Sequence, residues 1–457
     1  MGHDLVIRGG DVVHADGVQR LDIAVDDGLV SELSPTISTS GETEIDAHNL
    51  TVFPGVIDSH VHFNDPGRAD WEGVETGSAA LAAGGGTCFI DMPLNASPPT
   101  LDGPSFDAKL AALQGRAYTD FALYGGLTPS NLDRLEELAA RGVVGFKAFL
   151  CPSGIDDFPF VDDWTLFRGM ERAAELGLPV LFHAENADIT GQLTDNARRD
   201  GRRDARAFLE SRPVIAELEA ISRALLFAEE TGCAVHVVHV STARGVRMIR
   251  RALDERDVDA SCETCPHYVT FTDADVAAIG PRLKCAPPLR SEDERRALLN
   301  ELHGGQIDTV GSDHSPCPPN LKDTDDMLTA WGGVPGVQAT LRALLMLDID
   351  EQRIASVLAE SPAGRFKLMH KGGIRIGRDA DLTLVDPSTM SRLTREELRD
   401  RHRLSPYVGR TLRGAVRQVL LRGETICRAG PNGPELVGEP RGRLIRSTPR
   451  ALLDNVR

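Results

Sequence analysis

Two rhythms of apolar and polar residues alternate along this chain. In the middle, short apolar runs alternate with stretches of helical periodicity. The runs are Val56-Ile57-Asp58-Ser59-His60, Thr87-Cys88-Phe89-Ile90-Asp91, Phe121-Ala122-Leu123-Tyr124 and Val143-Val144-Gly145-Phe146-Lys147. They continue as Pro179-Val180-Leu181-Phe182-His183, Val235-His236-Val237-Val238-His239, Ala260-Ser261-Cys262-Glu263-Thr264 and Ile307-Asp308-Thr309-Val310-Gly311. Helical sequence such as Arg134-Leu135-Glu136-Glu137-Leu138-Ala139-Ala140 separates most of them. Short buried strands alternating with helices predict a parallel sheet. Eight units in roughly 315 residues fit an α/β fold, the (β/α)8 TIM barrel.

The ends read differently. Asp4-Leu5-Val6-Ile7-Arg8 and Asp22-Ile23-Ala24-Val25 are strand-like, with turns expected at Gly9-Gly10, Asp16-Gly17 and Asp27-Gly28. The same style returns at Gly372-Gly373-Ile374-Arg375-Ile376-Gly377, Ala380-Asp381-Leu382-Thr383-Leu384-Val385 and Val416-Arg417-Gln418-Val419-Leu420-Leu421. The expected organisation is a small β-sandwich domain from residues 1–51 and 366–430 around a barrel at 52–365. Residues 431–457, rich in Gly, Pro and Arg, read as an irregular C-terminal extension.

Composition narrows the function. The chain has 457 residues and a net charge of -18, from 50 basic and 68 acidic side chains. Nucleic-acid binding needs a basic face, so nucleic acid is not an expected partner. The N-terminus lacks a signal-peptide pattern, and no uncharged apolar run approaches the ~18 residues of a membrane span. Eight scattered cysteines without zinc-finger spacing read as reduced thiols, so the cytoplasm is the expected location.

Candidate chemistry gathers at one end of the strands. His60 and His62 close the first run, Lys147 the fourth, His183 the fifth and His239 the sixth, while Asp313 follows the eighth. Barrel enzymes carry their active sites at the C-terminal strand ends. Residues i and i+2 of a strand share a face, so His60 and His62 can bind one ion. His236 falls on the opposite face from His239 and reads as structural. An unpaired Lys147 amine inside an apolar barrel is unfavourable. Metal binding lowers the pKa of water from ~15.7 to about 7, on the order of 12 kcal/mol toward hydroxide. A positioned base alone supplies about 3–5 kcal/mol. No Gly-x-Ser-x-Gly elbow offers serine chemistry instead.

These residues resemble the cyclic amidohydrolase branch of the amidohydrolase superfamily. The likeness spans Pro54-Gly55-Val56-Ile57-Asp58-Ser59-His60-Val61-His62, Gly145-Phe146-Lys147, His183-Ala184-Glu185, His239-Val240-Ser241, Gly311-Ser312-Asp313-His314-Ser315-Pro316 and Gly377-Arg378-Asp379-Ala380-Asp381-Leu382. It implies two divalent metal ions: His60 and His62 with Asp313 on one, His183 and His239 on the other. It also implies that CO2 carboxylates Lys147 to a carbamate bridging both. A bridging hydroxide would attack the ring carbonyl, and Asp313 would move the proton to the leaving nitrogen. Zinc suits these ligands; manganese, cobalt, nickel and iron also do.

Within the branch, Asp91-Met92-Pro93-Leu94-Asn95, Cys151-Pro152-Ser153-Gly154-Ile155 and Ala330-Trp331-Gly332-Gly333 resemble the allantoinases. The resemblance implies a small neutral substrate, allantoin opened to allantoate, and a homo-oligomer, a tetramer. Asn95, Ser153 and backbone groups near Cys285 and Gly332 are the candidate substrate contacts; Asn95 and Ser153 also suit a purely turn-stabilising role. Three rival readings stand beside this one. Dihydroorotases carry an Arg two residues after the second histidine to hold a carboxylate; here Asn64 stands there. Hydantoinases and dihydropyrimidinases carry a Tyr shortly after the lysine; here the stretch is Cys151-Pro152-Ser153. Non-catalytic scaffolds of the superfamily have lost metal ligands, and this chain keeps all six.

Overall fold

The computed structural model describes residues 2–14 and 16–447. Its strands are β1 (His3–His14), β2 (Gly17–Asp26), β3 (Leu29–Ser34), β4 (Gly41–Asp46), β5 (Thr51–Pro54), β6 (Val56–Val61), β7 (Gly86–Asp91), β8 (Asp120–Leu123) and β9 (Gly125–Gly126). They continue with β10 (Phe146–Phe149), β11 (Val180–His183), β12 (Val235–Val237), β13 (Ala260–Thr264), β14 (Thr309–Val310), β15 (Leu382–Arg392), β16 (Thr411–Leu421), β17 (Glu424–Gly430) and β18 (Gly433–Leu436).

The middle of the chain is a mixed α/β unit of parallel strands. One sheet runs β14-β13-β12-β11-β10-β9 and another β6-β7-β8. The Val144 amide donates to Leu123 O, and the His62 amide to His314 O, so hydrogen bonds link the two sheets on both sides. This arrangement is consistent with a TIM barrel. Strands β6, β7, β8, β10, β11 and β13 are buried at every residue, as expected when both faces are covered. Helices such as Val214–Thr231 and Ala243–Arg256 follow the strands; the second starts at Thr242, whose side chain accepts from the Gly245 amide.

Both chain ends enter one largely antiparallel sheet of nine strands. Its order is β18-β17-β16-β15-β5-β1-β2-β3, with β4 pairing β1. The junction is β5 against β15, with Pro54 opposite Leu382.

Three local expectations change. Gly9-Gly10 is not a turn but a bulge inside the twelve-residue β1, where register shifts between Ile7 and Gly10 and Gly9 has φ 64°. Gly372–Gly377 forms no strand: both glycines have φ above 80°, and a Cβ on Gly372 would lie 2.4 Å from that of Ala363. The stretch at Val143 becomes strand only from Phe146 and runs on to Phe149, so Lys147 sits inside β10. The tail past residue 430 is also less irregular than expected. It supplies β18, and near residue 444 it pairs with β8: the Phe121 amide donates to Arg443 O and the Ile445 amide to Phe121 O. Residues 448–457 of the expected extension lie outside the described residues.

Candidate metal centre

All ten candidate residues line one cavity of about 80 Å3: His60, His62, Asn95, Lys147, Ser153, His183, His239, Cys285, Asp313 and Gly332. His60 is the fifth residue of β6, and His62 follows the strand. His183 ends β11, and His239 lies two residues beyond β12. His239 and Asp313 adopt left-handed backbone, φ 42° and 45°. That conformation is disfavoured for residues with a Cβ, and such strain collects at functional sites.

The cavity has two halves. In one, an Asp313 carboxylate oxygen lies 3.2 Å from His60 Nε2 and 3.4 Å from His62 Nε2. The three potential ligand atoms lie within 4.8 Å of one another. In the other, the rings of His183 and His239 stand 4.8 Å apart, and the Lys147 ammonium group lies 5.1 Å from the Phe149 ring centre. Lys147 Nζ, His62 Nδ1 and His239 Nδ1 are buried without a hydrogen-bond partner.

Electrostatics prepare these groups as ligands. Burial pushes His62, His183 and His239 below the usual histidine range, which keeps their lone pairs free at neutral pH. Burial pushes the Asp313 carboxyl up, but His60 and His62 more than offset it and hold it ionised. Burial lowers the Lys147 amine to about 8, against the upward pull of Asp313 and Glu263.

The comparisons with known proteins agree with this geometry. The model of the amidohydrolase family matches residues 51–426. The chain belongs to the amidohydrolase family. An allantoinase of Rubrobacter xylanophilus is 51% identical over 448 residues, 97% of each chain. An allantoinase of Deinococcus radiodurans is 46% identical over 457 residues, covering 99% of this chain and all of its own. Among solved structures, an L-hydantoinase (dihydropyrimidinase) of Arthrobacter aurescens superposes with TM-score 0.93 at 34% identity, over 97% of this chain and 100% of that one.

Divalent metal fits the residues of this amidohydrolase. The orphaned nitrogens converge with one ionised carboxylate, and a closed apolar shell would not tolerate them unpartnered. Two further clusters do not fit. Cys151, His183 and Glu185 lie close together, but Glu185 is already paired with Arg212. Asp120, Asp379 and Asp381 surround the Lys371 ammonium at 2.6–2.7 Å, so the centre of that cluster is filled.

The substrate candidates divide. The Ser153 hydroxyl is turned to its own loop, with Phe158 O at 2.6 Å and Ile155 O at 3.1 Å. Asn95 is buried with φ 66°, and its carbonyl accepts from Arg68. A Cβ on Gly332 would meet nothing within 4 Å, whereas one on Gly333 would strike Ser315 O at 2.2 Å. The Trp331 indole N–H is buried without a partner, an unused donor on the cavity wall.

Sequence reasoning missed the groups that orient the histidines. His60 Nδ1 lies 2.7 Å from a Glu263 carboxylate oxygen, and the Ser59 hydroxyl donates to its other oxygen at 2.5 Å. His183 Nε2 lies 2.9 Å from Glu185. These bonds turn His60 Nε2 and His183 Nδ1 inward. The signal was present: Glu263 is an acid inside a run read as a buried strand. His236 is bonded to Ser261 at 2.7 Å and lies 3.9 Å from the same Glu263 carboxylate, so it packs beside that acid and does not line the metal-centre cavity. Glu263→Gln weakens the acceptor of His60 and is expected to lower metal affinity about 10–100-fold. A chelator competition titration reads this out, and an unchanged affinity would show that Glu263 does not position His60.

Proposed function

We propose that this protein hydrolyses allantoin to allantoate at a binuclear metal centre. The observation that carries the reading is the buried Asn64 beside His62, both of whose amide atoms lack partners. A guanidinium at that position would clamp an anionic ring. Here the metal-centre cavity offers uncharged donors, the Trp331 indole among them, and Lys147 as its one cation. That suits a neutral substrate rich in N–H and C=O groups. The allantoinases at 46–51% identity support the choice. The hydantoinase neighbour at 34% identity keeps 5-substituted hydantoins as the second reading, because they share the ring.

His60, His62 and Asp313 would hold one ion, and His183 with His239 the second. Lys147, whose amine burial lowers to about 8, would lose its proton, add CO2 to form a carbamate and release a second proton, supplying the anion that the second half lacks. When bound, the metals would lower the pKa of water toward ~7 and polarise the carbonyl. Asp313 takes the proton of the attacking water at its carboxylate and returns it to the ring nitrogen as the C–N bond breaks. Zinc is the proposed metal; manganese, cobalt, nickel or iron would suit the same ligands.

The same reading takes residues 52–365 as a closed (β/α)8 barrel and residues 1–51 with 366–430 as a β-sandwich domain. It places a tetramer in the cytoplasm. All eight cysteines are unpaired and buried, and no described helix is long and apolar enough to cross a membrane.

The test is a substrate panel. Metal-loaded protein is expected to open allantoin faster than hydantoin, and dihydroorotate slowest, followed by loss of ring absorbance and by product colorimetry. Faster turnover of dihydroorotate than of allantoin overturns the reading.

A further inference from the structure

A second cavity adjoins the metal centre. Its volume is about 360 Å3 against about 80 Å3 for the first. Phe149, Ser153, His183, Ala286, Trp331 and Gly332 line both spaces. The walls of the second carry Arg198, Arg212 and Lys284 and no Asp or Glu. This is the reverse of the chain as a whole, whose net charge is -18.

The three cations are not equally satisfied. Arg212 is paired with the buried Glu185, and Arg198 reaches Asp195 at 3.6 Å on the surface. Lys284 is 6% exposed, and its ammonium group donates only to the carbonyls of Ala330 at 2.5 Å and Leu328 at 3.4 Å. It also lies 4.8 Å from the Phe208 ring centre. Among the described residues it forms no ion pair. Burial, with Arg212 and Lys322 beside it, lowers this amine to about 7. A charge held in this way gains strongly from an arriving anion.

Ring hydrolysis generates such an anion. A C–O bond forms, the ring C–N bond breaks, the nitrogen takes a proton, and the new carboxylic acid loses one to water. A neutral compact ring becomes a longer chain ending in a carboxylate. The substrate gains little from the cationic wall, while the product gains much.

We infer that the cavity walled by Arg198, Arg212 and Lys284 is a subsite for the carboxylate of the ring-opened product, which draws it away from the metal centre. The inference rests on the proposed hydrolysis for the origin of that carboxylate. The subsite also takes other small ureido carboxylates and discriminates against their uncharged amides.

The test uses binding alone, so it stays readable if allantoin is not the substrate. N-carbamoylglycine and its uncharged amide are titrated by calorimetry into the metal-loaded wild type, Lys284→Met and Arg198→Met. Lys284→Met is expected to weaken the carboxylate at least about tenfold and Arg198→Met about threefold, with the amide changed less than about twofold. Lys284 also donates to the carbonyls of residues 328 and 330, whereas the partner of Arg198 is Asp195, so the second variant separates charge from loop structure. Carboxylate affinity unchanged in both variants would place the anion on the metals and overturn the inference. So would a parallel loss of carboxylate and amide in both.

Discussion

Lys147→Met is expected to lose bound metal and at least about a thousandfold in kcat/KM for allantoin. Without metal, the site keeps only side-chain acid–base chemistry, worth about 10²–10⁴-fold. On the proposed reading, the variant removes the side chain whose carbamate would complete the half of the site that holds His183 and His239. The same substitution has the opposite sign in metal-free protein. Lys147 is fully buried, its amine has no hydrogen-bond partner, and burial lowers it to about 8. Replacing such a group by an apolar side chain of similar volume is neutral or stabilising. With chelator present, the variant should therefore melt at or above the wild-type temperature. Metal content by plasma emission spectroscopy, activity and melting curves read out the two effects. Wild-type metal content with full activity rules out a bridging role for Lys147.

Lys371→Met should produce the largest stability loss. Its ammonium group meets Asp120, Asp379 and Asp381 at 2.6–2.7 Å and is 2% exposed. Asp120 also accepts from Arg422 and from the Arg443 amide at 2.8 Å. One site thus joins the start of β8, the entry to β15, the turn after β16 and the C-terminal tail. Removing the cation leaves buried carboxylates crowded together, a change of about 3–5 kcal/mol. With an unfolding entropy of about 2.1 cal/mol/K per residue, 457 residues give roughly 1 kcal/mol/K, so the melting temperature falls by about 3–5 °C. Differential scanning calorimetry checks this. Activity at 25 °C should change little, because Lys371 lies outside the metal-centre cavity. An unchanged melting temperature would mean that the aspartates are held by something other than Lys371.

The parallel strands were legible because burial on both faces leaves continuous apolar runs. The run Ala260–Thr264 became β13 without change. That these polar residues gather around one cavity was legible because polar groups that end such runs have few other reasons to be there. What sequence concealed was local geometry. Gly9-Gly10 reads the same in a bulge as in a turn, since both need a positive φ. Ser153 reads as a donor until its hydroxyl is seen turned to Phe158 O. Nothing in the sequence singles out Lys284. Only the folding of the segments around residues 208 and 330 against it shows a buried charge without a counterion.

The pairing of β5 with β15 also sets a schedule for synthesis. The open edge of β5 finds its partner only when the chain has grown from Pro54 to Leu382, 328 residues later (382 minus 54). At about 5–20 residues per second, this edge stays unpaired for roughly 16–66 s on the ribosome. An unpaired strand edge invites other chains to add to it. The protein's exposure to misassembly is therefore greatest during translation, and slower elongation lengthens it even though the finished fold is the same.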